Sequence, residues 1–247
     1  MAFDHSNFIP GISLDCVIFG FDDSRLKVLL LRMRGMKSWA LPGGFIKKAE
    51  HGDDAAMRIL KERTGVSNLF LQQFSTFTNP NRNSGISLDD LIVNKVIGKE
   101  DMEWFNERFI SIGYYALTNH KKVIPTVDDL SDACAWHDLK DIPDLMYDHE
   151  EILQKALNEV QADLQYHPIG QNLLPQKFTM PELQSLYEAI LDKELDRRNF
   201  SRRVMSYGIL EKLDEHRTGL AHKAPRLYKF NKLAYEAALQ NGLSNRW

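Results

Sequence analysis

The chain has 247 residues, of which 43% are hydrophobic and 26% charged, as in an ordinary soluble globular protein. This length is sufficient for two domains, each with its own core. The formal net charge of -3 argues against a protein that merely coats nucleic acid. The longest apolar stretches fall far short of the roughly 20 residues that a membrane span needs, and no N-terminal targeting pattern is visible. We therefore expect a cytoplasmic protein without a membrane partner.

Charge is distributed unevenly along the chain. Between Arg197 and Lys232, ten Lys and Arg residues stand against three acidic residues, which gives a local charge of +7. The remainder must carry -10 to reach the total of -3. This division is typical of an acidic domain joined to a basic domain that binds a polyanion.

The two cysteines, Cys16 and Cys134, are far apart and have no Cys or His at metal-binding spacing. They predict neither a disulfide framework nor a zinc site. We expect both to be thiols in the core.

The first two thirds of the chain carry strand patterns interrupted by helical ones. Alternating or β-branched apolar segments predict strands over 12–19, 26–33, 72–78, 108–117 and 133–138. Helical spacing predicts a helix over 53–64 that ends at Gly65, and another over 148–165. The segment 79–107 is expected to be irregular except for a short helix around 100–105.

The last third begins after a Pro- and Gly-interrupted linker, 166–176. Thr179-Met-Pro-Glu182 has the pattern of a capping box and predicts a helix start. A second helix is expected from about 198 to 213, followed by a hairpin over 217–230 with a Gly turn. This order is typical of a winged helix-turn-helix. We therefore predict domains at 1–165 and 177–247.

Several residues of the first domain resemble the Nudix box. Gly44, Glu50 and the run from Arg58 to Gly65-Val66 match its spacing throughout. The resemblance implies an α/β/α sandwich. It also implies a loop and helix that, in hydrolytic members, hold a divalent metal with three glutamates and cleave nucleoside diphosphates linked to another group.

The three metal-ligand positions share one helical face, because hard cations need several converging carboxylate oxygens. Here they are Ile59, Glu62 and Arg63. Ile59 offers no oxygen, and Arg63 brings a fixed cation whose repulsion of a unit charge about 4 Å away is roughly 4 kcal/mol. We expect no catalytic residue, metal or cofactor, and thus no enzyme. The remaining route to a metal is a different carboxylate set, formed by Glu50, Asp53, Asp54 and Glu62.

The surviving box residues have a structural interpretation as well. Glu50 and Arg58 are predicted to form an ion pair that holds the shape of the loop and helix. A fold that keeps its cleft without the metal still offers a binding pocket for a small-molecule effector. Its predicted walls are Arg32, Trp39, Phe45 and Glu62, although plain core packing is an equal alternative for the two aromatic residues.

The second domain resembles the winged helix of the Nudix-related transcriptional regulators, the family of the NrtR and AraR proteins. The segments that carry the resemblance are 178–188, 195–203 and 224–228. The predicted fold class is therefore α+β, with an N-terminal Nudix α/β/α sandwich followed by a C-terminal winged helix-turn-helix. The implied protein is a homodimer that binds double-stranded operator DNA.

The basic segment supplies the residue types that read duplex DNA. Arginine forks suit guanine and phosphate, and an asparagine amide suits adenine. The predicted contacts on the second helix are Arg197, Arg198, Asn199, Arg202 and Arg203. Those of the wing are Arg217, Lys223 and Arg226. A solvated basic face is the alternative.

The sequence is compatible with three functions. The first is a repressor or activator whose Nudix-like cleft senses a metabolite. Because the metal-binding face is altered, the sequence favours a sugar such as L-arabinose over ADP-ribose, the effector of NAD-metabolism regulators. The second is an active Nudix hydrolase that cleaves ADP-ribose or a nucleotide sugar. The third is an RNA-processing factor.

Overall fold

A computed structural model describes residues 4–66, 70–82, 88–127, 130–217 and 224–243. The chain forms two compact units, and the main boundary between them falls between Ala156 and Leu157. The first unit holds most of the chain before this boundary, and the second consists mainly of the residues after it. The limits 1–165, 166–176 and 177–247 stay predictions, because this boundary lies inside a helix.

The described residues of the first unit contain a seven-stranded sheet. Its strands are β1 (Phe8–Asp22), β2 (Arg25–Met33), β3 (Trp39–Ala40), β4 (Gly43–Lys47), β5 (Phe70–Phe77), β6 (Ile110–Asn119) and β7 (Ser131–Asp138). The order is β3-β2-β1-β6-β5, with β4 paired to β1 and β7 paired to β2. All five predicted strands are confirmed, and the short strands β3 and β4 are additional.

Four helices were found among the described residues up to 166: α1 (Gly52–Thr64), α2 (Leu88–Val93), α3 (Met102–Asn106) and α4 (His149–Tyr166). Gly65 ends α1 in the left-handed region, with φ of 69°. α1, α3 and α4 were predicted, but α2 lies in the segment expected to be irregular. Among the described residues, every helix is too short or too polar to span a bilayer.

The core of the first unit lies against the sheet. Alternate residues of β1, Leu14, Cys16 and Ile18, pack with Ile59 and Leu60 of α1. The intervening β1 residues are also buried, so both faces of the strand are covered. Neither cysteine is in a disulfide: Cys16 is a buried thiol as predicted, whereas Cys134 is only partly buried.

The second unit contains a small antiparallel sheet and short helices. Its elements after α4 are β8 (Phe178–Thr179), α5 (Met180–Leu191), α6 (Arg197–Ser206), β9 (Leu210–His216), β10 (Arg226–Phe230) and α7 (Lys232–Asn241). The strand order is β8-β10-β9. The capping box is confirmed: the Glu182 amide donates to Thr179 Oγ1 over 3.3 Å, and the Thr179 amide donates to Glu182 Oε2 over 2.6 Å.

Two predictions for this unit are wrong. The second helix ends at Ser206 rather than near 213, because Gly208 adopts a positive φ of 68° and the chain continues as β9. The hairpin therefore joins β9 to β10 and does not begin at 217. Its predicted Gly turn lies outside the described residues. α7, which Asn231 caps at its N-terminus, was not predicted.

Candidate functional site

The Nudix-type loop and α1 are fixed by a bidentate ion pair. Arg58 Nε and Nη2 donate to the two carboxylate oxygens of Glu50 over 2.8 and 2.9 Å. Nη2 also donates to the Phe45 carbonyl at 2.9 Å, which ties β4 to the helix. The hydrogen bonds from Arg58 hold the pKa of Glu50 below its usual value. The predicted Glu50–Arg58 ion pair is thus present in the structure.

A second contact anchors the N-terminal end of α1 to the sheet. The Tyr114 hydroxyl on β6 donates to Asp53 Oδ1 over 2.8 Å. Burial, followed by this hydrogen bond, raises the pKa of Tyr114. Glu50 and Asp53 are thus both bound to other side chains of the protein. The sequence analysis had named them as members of an alternative metal site. Within the described part of the chain, no group of three His, Cys, Asp or Glu side chains is placed to hold a metal ion.

The three positions equivalent to the Nudix metal ligands have different environments. Ile59 is 1% exposed and belongs to the hydrophobic core. A Cβ on Gly44 would lie 3.0 Å from Ile59 Cδ1, so this side chain fills the space beside the loop. Glu62 is half-exposed, and its Oε1 lies 3.6 Å from Arg58 Nη1. Arg63 is buried, so its cation is held within the fold.

The predicted effector-binding residues fall into two places. Arg32 and Trp39 are cross-strand neighbours on β2 and β3. The guanidinium carbon of Arg32 lies 5.7 Å from the centre of the Trp39 ring, and its Nε donates to Asp132 over 2.8 Å. The Trp39 ring also lies 4.3 Å from the His137 ring between ring centres. This arrangement combines an aromatic face with a cation that is 41% exposed.

Phe45 instead packs in an aromatic cluster on β4. Its ring centre lies 5.4 Å from that of Phe109 and 5.6 Å from that of Trp104. Since Trp104 belongs to α3, the cluster holds α3 against the sheet. This placement favours the core-packing alternative for Phe45. Glu62 lies on α1 and Phe45 on β4, whereas Arg32 and Trp39 lie on β2 and β3.

A buried polar network in the first unit was not anticipated. Arg82 Nη2 donates to Asp15 Oδ2 over 2.8 Å and to Asp148 Oδ1 over 2.9 Å. The Ser111 hydroxyl donates to Asp15 Oδ2 over 2.6 Å. The Leu41 amide donates to His149 Nδ1, so a neutral His149 ring carries its proton on Nε2, which lies 3.4 Å from Asp15 Oδ1.

Burial alone would raise the pKa of Asp15, but His149, Arg82 and Ser111 together hold it below its usual value. Every group in this network already has a partner inside the protein. We therefore assign it to stability rather than chemistry. The available signal in the sequence was one acidic residue, Asp15, inside the apolar stretch that became β1.

In the second unit, α6 is held by two buried apolar residues, Phe200 and Val204. The Phe200 ring lies 5.3 Å from the Tyr187 ring of α5 between centres. Asp196 caps the helix by accepting from the Asn199 amide over 2.9 Å. This packing fixes which side of α6 faces outward.

The predicted DNA-contacting residues of α6 are arranged around that outward side. Arg197, Arg198, Asn199 and Arg202 are exposed. Arg203 is only partly exposed and contacts Tyr207. Burial raises the pKa of Tyr207, and Arg203 partly offsets this rise. Of these exposed residues, Arg198, Asn199 and Arg202 lie on the side of α6 opposite Phe200 and Val204.

The wing residues are placed less uniformly. Arg217 Nη2 lies 2.6 Å from Glu182 Oε1, so its guanidinium is bound to α5. Burial would raise the pKa of Glu182, but the Thr179 amide and Arg217 hold it below its usual value. Arg226 is exposed on β10, and Lys223 lies outside the described residues. Lys212 is exposed on β9, which pairs with β10, the strand of Arg226. It was not among the predicted DNA contacts.

This geometry defines a Nudix domain followed by a DNA-binding winged helix. Residues 10–157 match the NUDIX domain family, and residues 170–230 match the NrtR DNA-binding winged helix domain. The chain belongs to the family of Nudix-related transcriptional regulators. The predicted fold class is confirmed.

Individual relatives agree with this assignment. The chain is 29% identical over 235 residues to the "ADPR responsive transcriptional repressor NtrR" of Acinetobacter baylyi, an alignment that covers 92% of this chain and 84% of that protein. It is 25% identical over 149 residues to an ADP-ribose pyrophosphatase of Methanocaldococcus jannaschii, covering 59% of this chain and 72% of that protein. The structure of Shewanella oneidensis NrtR complexed with a 27-mer DNA has the same fold, with a TM-score of 0.75 at 24% identity. That superposition covers 96% of this chain and 99% of the other.

These relatives correct one expectation. The sequence favoured a sugar such as L-arabinose as the effector, but the names of both curated relatives refer to ADP-ribose. No relative named above supports a sugar.

Proposed function

We propose that this chain is a transcriptional repressor that binds operator DNA as a homodimer and is controlled by ADP-ribose bound to its Nudix domain without hydrolysis. The observation that carries the proposal is the joining of two features in one chain. A Nudix domain whose metal-ligand positions hold Ile59 and Arg63 precedes a winged helix with an exposed arginine surface. The relative from A. baylyi, described as an ADPR responsive repressor, supports the same combination.

The proposal assigns separate roles to the two units. On α6, Arg197, Arg198 and Arg202 would neutralise phosphates or contact bases in the major groove. In the Nudix domain, Arg32 and Trp39 offer a cation and an aromatic face, which suit a diphosphate and a base. A homodimer would match the two-fold symmetry of a palindromic operator.

Non-hydrolytic binding follows from the charge of the site. A divalent cation near Arg63 would meet a buried positive charge, and Ile59 supplies no ligand. The retained Glu50–Arg58 pair keeps the loop in place without a metal. The regulator has two conformations, one with high and one with low affinity for the operator. A ligand that binds one of them more tightly shifts the population towards it, and operator binding changes according to the difference between the two ligand affinities.

The test uses the full chain and a duplex selected from a random library. Fluorescence anisotropy measures duplex binding while ADP-ribose, ADP, ribose 5-phosphate and L-arabinose are titrated separately. We expect ADP-ribose alone to change duplex affinity by about tenfold or more. It should also raise the melting temperature, because a ligand at 100 times its Kd stabilises a protein by about 2.7 kcal/mol.

Chromatography of the same mixtures with added magnesium tests the enzymatic alternative. Release of AMP at about one turnover per second, abolished in Glu62→Gln, would contradict the non-hydrolytic part of the proposal. A response to L-arabinose instead of ADP-ribose would contradict the effector. Preference for single-stranded RNA over every selected duplex would contradict the repressor itself.

A further inference from the structure

The outward face of α6 can be divided further by helical geometry. Phe200 and Val204 are buried and define the inner side of the helix. At 3.6 residues per turn, Arg198 and Arg202 point away from that side and are one turn apart. Arg197 lies nearer the flank. Arg198 and Arg202 are therefore the arginines best placed to enter a groove.

Asn199 is not independent of this pair. Arg202 Nη2 donates to Asn199 Oδ1 over 2.9 Å. A guanidinium has donors only, so the atom that faces it must be the amide oxygen. The Asn199 backbone amide is bound in turn to the Asp196 cap. Asn199 is thus fixed at both its main chain and its side chain.

This hydrogen bond changes what Asn199 can read. Recognition of adenine by asparagine needs the amide oxygen to accept from N6 and the amide nitrogen to donate to N7. The Asn199 oxygen already accepts from Arg202, so pairing with adenine would have to use its second lone pair while the amide stays turned towards Arg202. The guanidinium of Arg202 has five donors, so it keeps a two-donor edge for O6 and N7 of guanine after giving one to Asn199.

We infer that Asn199 is a positioning residue that orients Arg202 towards a G·C base pair in each operator half-site, and does not itself read adenine. This inference rests on the proposed DNA-binding function of α6. It replaces the expectation, drawn from residue type alone, that the asparagine amide pairs with adenine. The recognition surface then presents donors only, which match the acceptors of guanine.

The experiment starts from a duplex selected by the wild-type full chain. Each base pair is replaced in turn, and relative affinities are measured at one salt concentration for wild type and five variants. In wild type we expect a preference for G of about tenfold or more at one position per half-site. This preference should disappear in Arg202→Ala. In Asn199→Ala the preference at that same position should fall several-fold. Asn241→Ala, which removes an exposed asparagine of α7, serves as the matched control and should change no preference.

Asn199→Asp provides the rescue. Its carboxylate still accepts from Arg202, so the G preference should return. Affinity for all sequences should fall because a negative charge now faces the phosphates. A role in helix stability alone would not predict this separation of specificity from affinity. Circular dichroism confirms that each variant is folded.

Two outcomes would overturn the inference and leave the proposed function standing. One is an adenine preference that both Asn199 variants lose while the G preference persists. The other is a G preference that survives in Asn199→Ala. Failure of the proposed function gives a different result: wild type would select no duplex sequence, or the Arg198→Ala, Arg202→Ala double variant would bind as wild type does.

Discussion

Replacing Arg82 by Met tests the buried polar network, because it leaves two carboxylates without their shared cation. Arg82 Nη2 lies 2.8 Å from Asp15 Oδ2 and 2.9 Å from Asp148 Oδ1, and each side chain is less than a tenth exposed. Removing one partner of a buried ion pair costs about 3–5 kcal/mol. Met occupies much of the space of the arginine stem, so the loss is mainly electrostatic. We expect the free energy of unfolding of the first unit to fall by about 3–5 kcal/mol at neutral pH.

The same variant should have a characteristic pH dependence. In wild type the pKa of Asp15 is lower in the folded state than the unfolded value of about 3.9. Its contribution to stability is therefore present above that value and is lost as pH falls through the folded pKa. Without Arg82, the pKa of Asp15 should rise, because only His149 and Ser111 then oppose the effect of burial. Protonation then relieves the variant as the solution is acidified, so its deficit relative to wild type should shrink between about pH 7 and pH 5.

Urea denaturation at both pH values measures this difference. Trp39, Trp104 and Trp136 all lie in the first unit, so their fluorescence reports on its unfolding. Arg108→Met is the matched control. Arg108 is exposed and donates to the Thr78 carbonyl over 2.8 Å, so its loss should cost no more than about 1 kcal/mol. A deficit for the Arg82 variant below about 1 kcal/mol, or one equal at both pH values, would refute the assigned role.

Three further predictions concern other parts of the chain. Thr179→Ala removes one side of the capping box of α5 and should destabilise the second unit by about 1 kcal/mol, measured by thermal denaturation; an unchanged melting temperature would count against the cap. Ile59→Glu places a carboxylate in the core and should destabilise the first unit by about 2–7 kcal/mol. It should not create magnesium-dependent cleavage of ADP-ribose. A stable, active variant would disprove our account of this position. Arg197→Ala should reduce the slope of log affinity against log salt by about 0.9, as for one lost phosphate contact, and an unchanged slope would exclude that contact.

Much of the fold was predictable because local patterns agree with tertiary structure. The capping box at Thr179, the glycine after α1 and the alternation of β6 each specify their element. The prediction failed after Ser206, where Ile209, Leu210 and Leu213 also fit a helical spacing. There the positive φ of Gly208 decides the outcome, and a lone glycine in a helical pattern does not reveal its φ.

The candidate site was less predictable, since side-chain partners come from distant parts of the chain. Arg82 and Asp15 are separated by 67 residues, and neither lies in a motif that marks the pair. Arg217 illustrates a second difficulty. Its residue type and position in the wing predicted a DNA contact, but in this structure its guanidinium is bound to Glu182. Residue type shows what a side chain is able to bind, whereas its partner depends on which groups folding brings near it.

The Glu50–Arg58 pair shows why a Nudix-type loop can persist apart from metal chemistry. Its two hydrogen bonds, together with the bond from Arg58 to the Phe45 carbonyl, fix β4, the loop and α1 with protein atoms alone. Beside them, Ile59 fills the space under Gly44 as part of the core. The shape of the loop therefore depends on one set of residues, while metal binding depends on another that includes positions 59 and 63. Because the two sets are separable, the loop can serve a binding site even where hydrolysis is not supported.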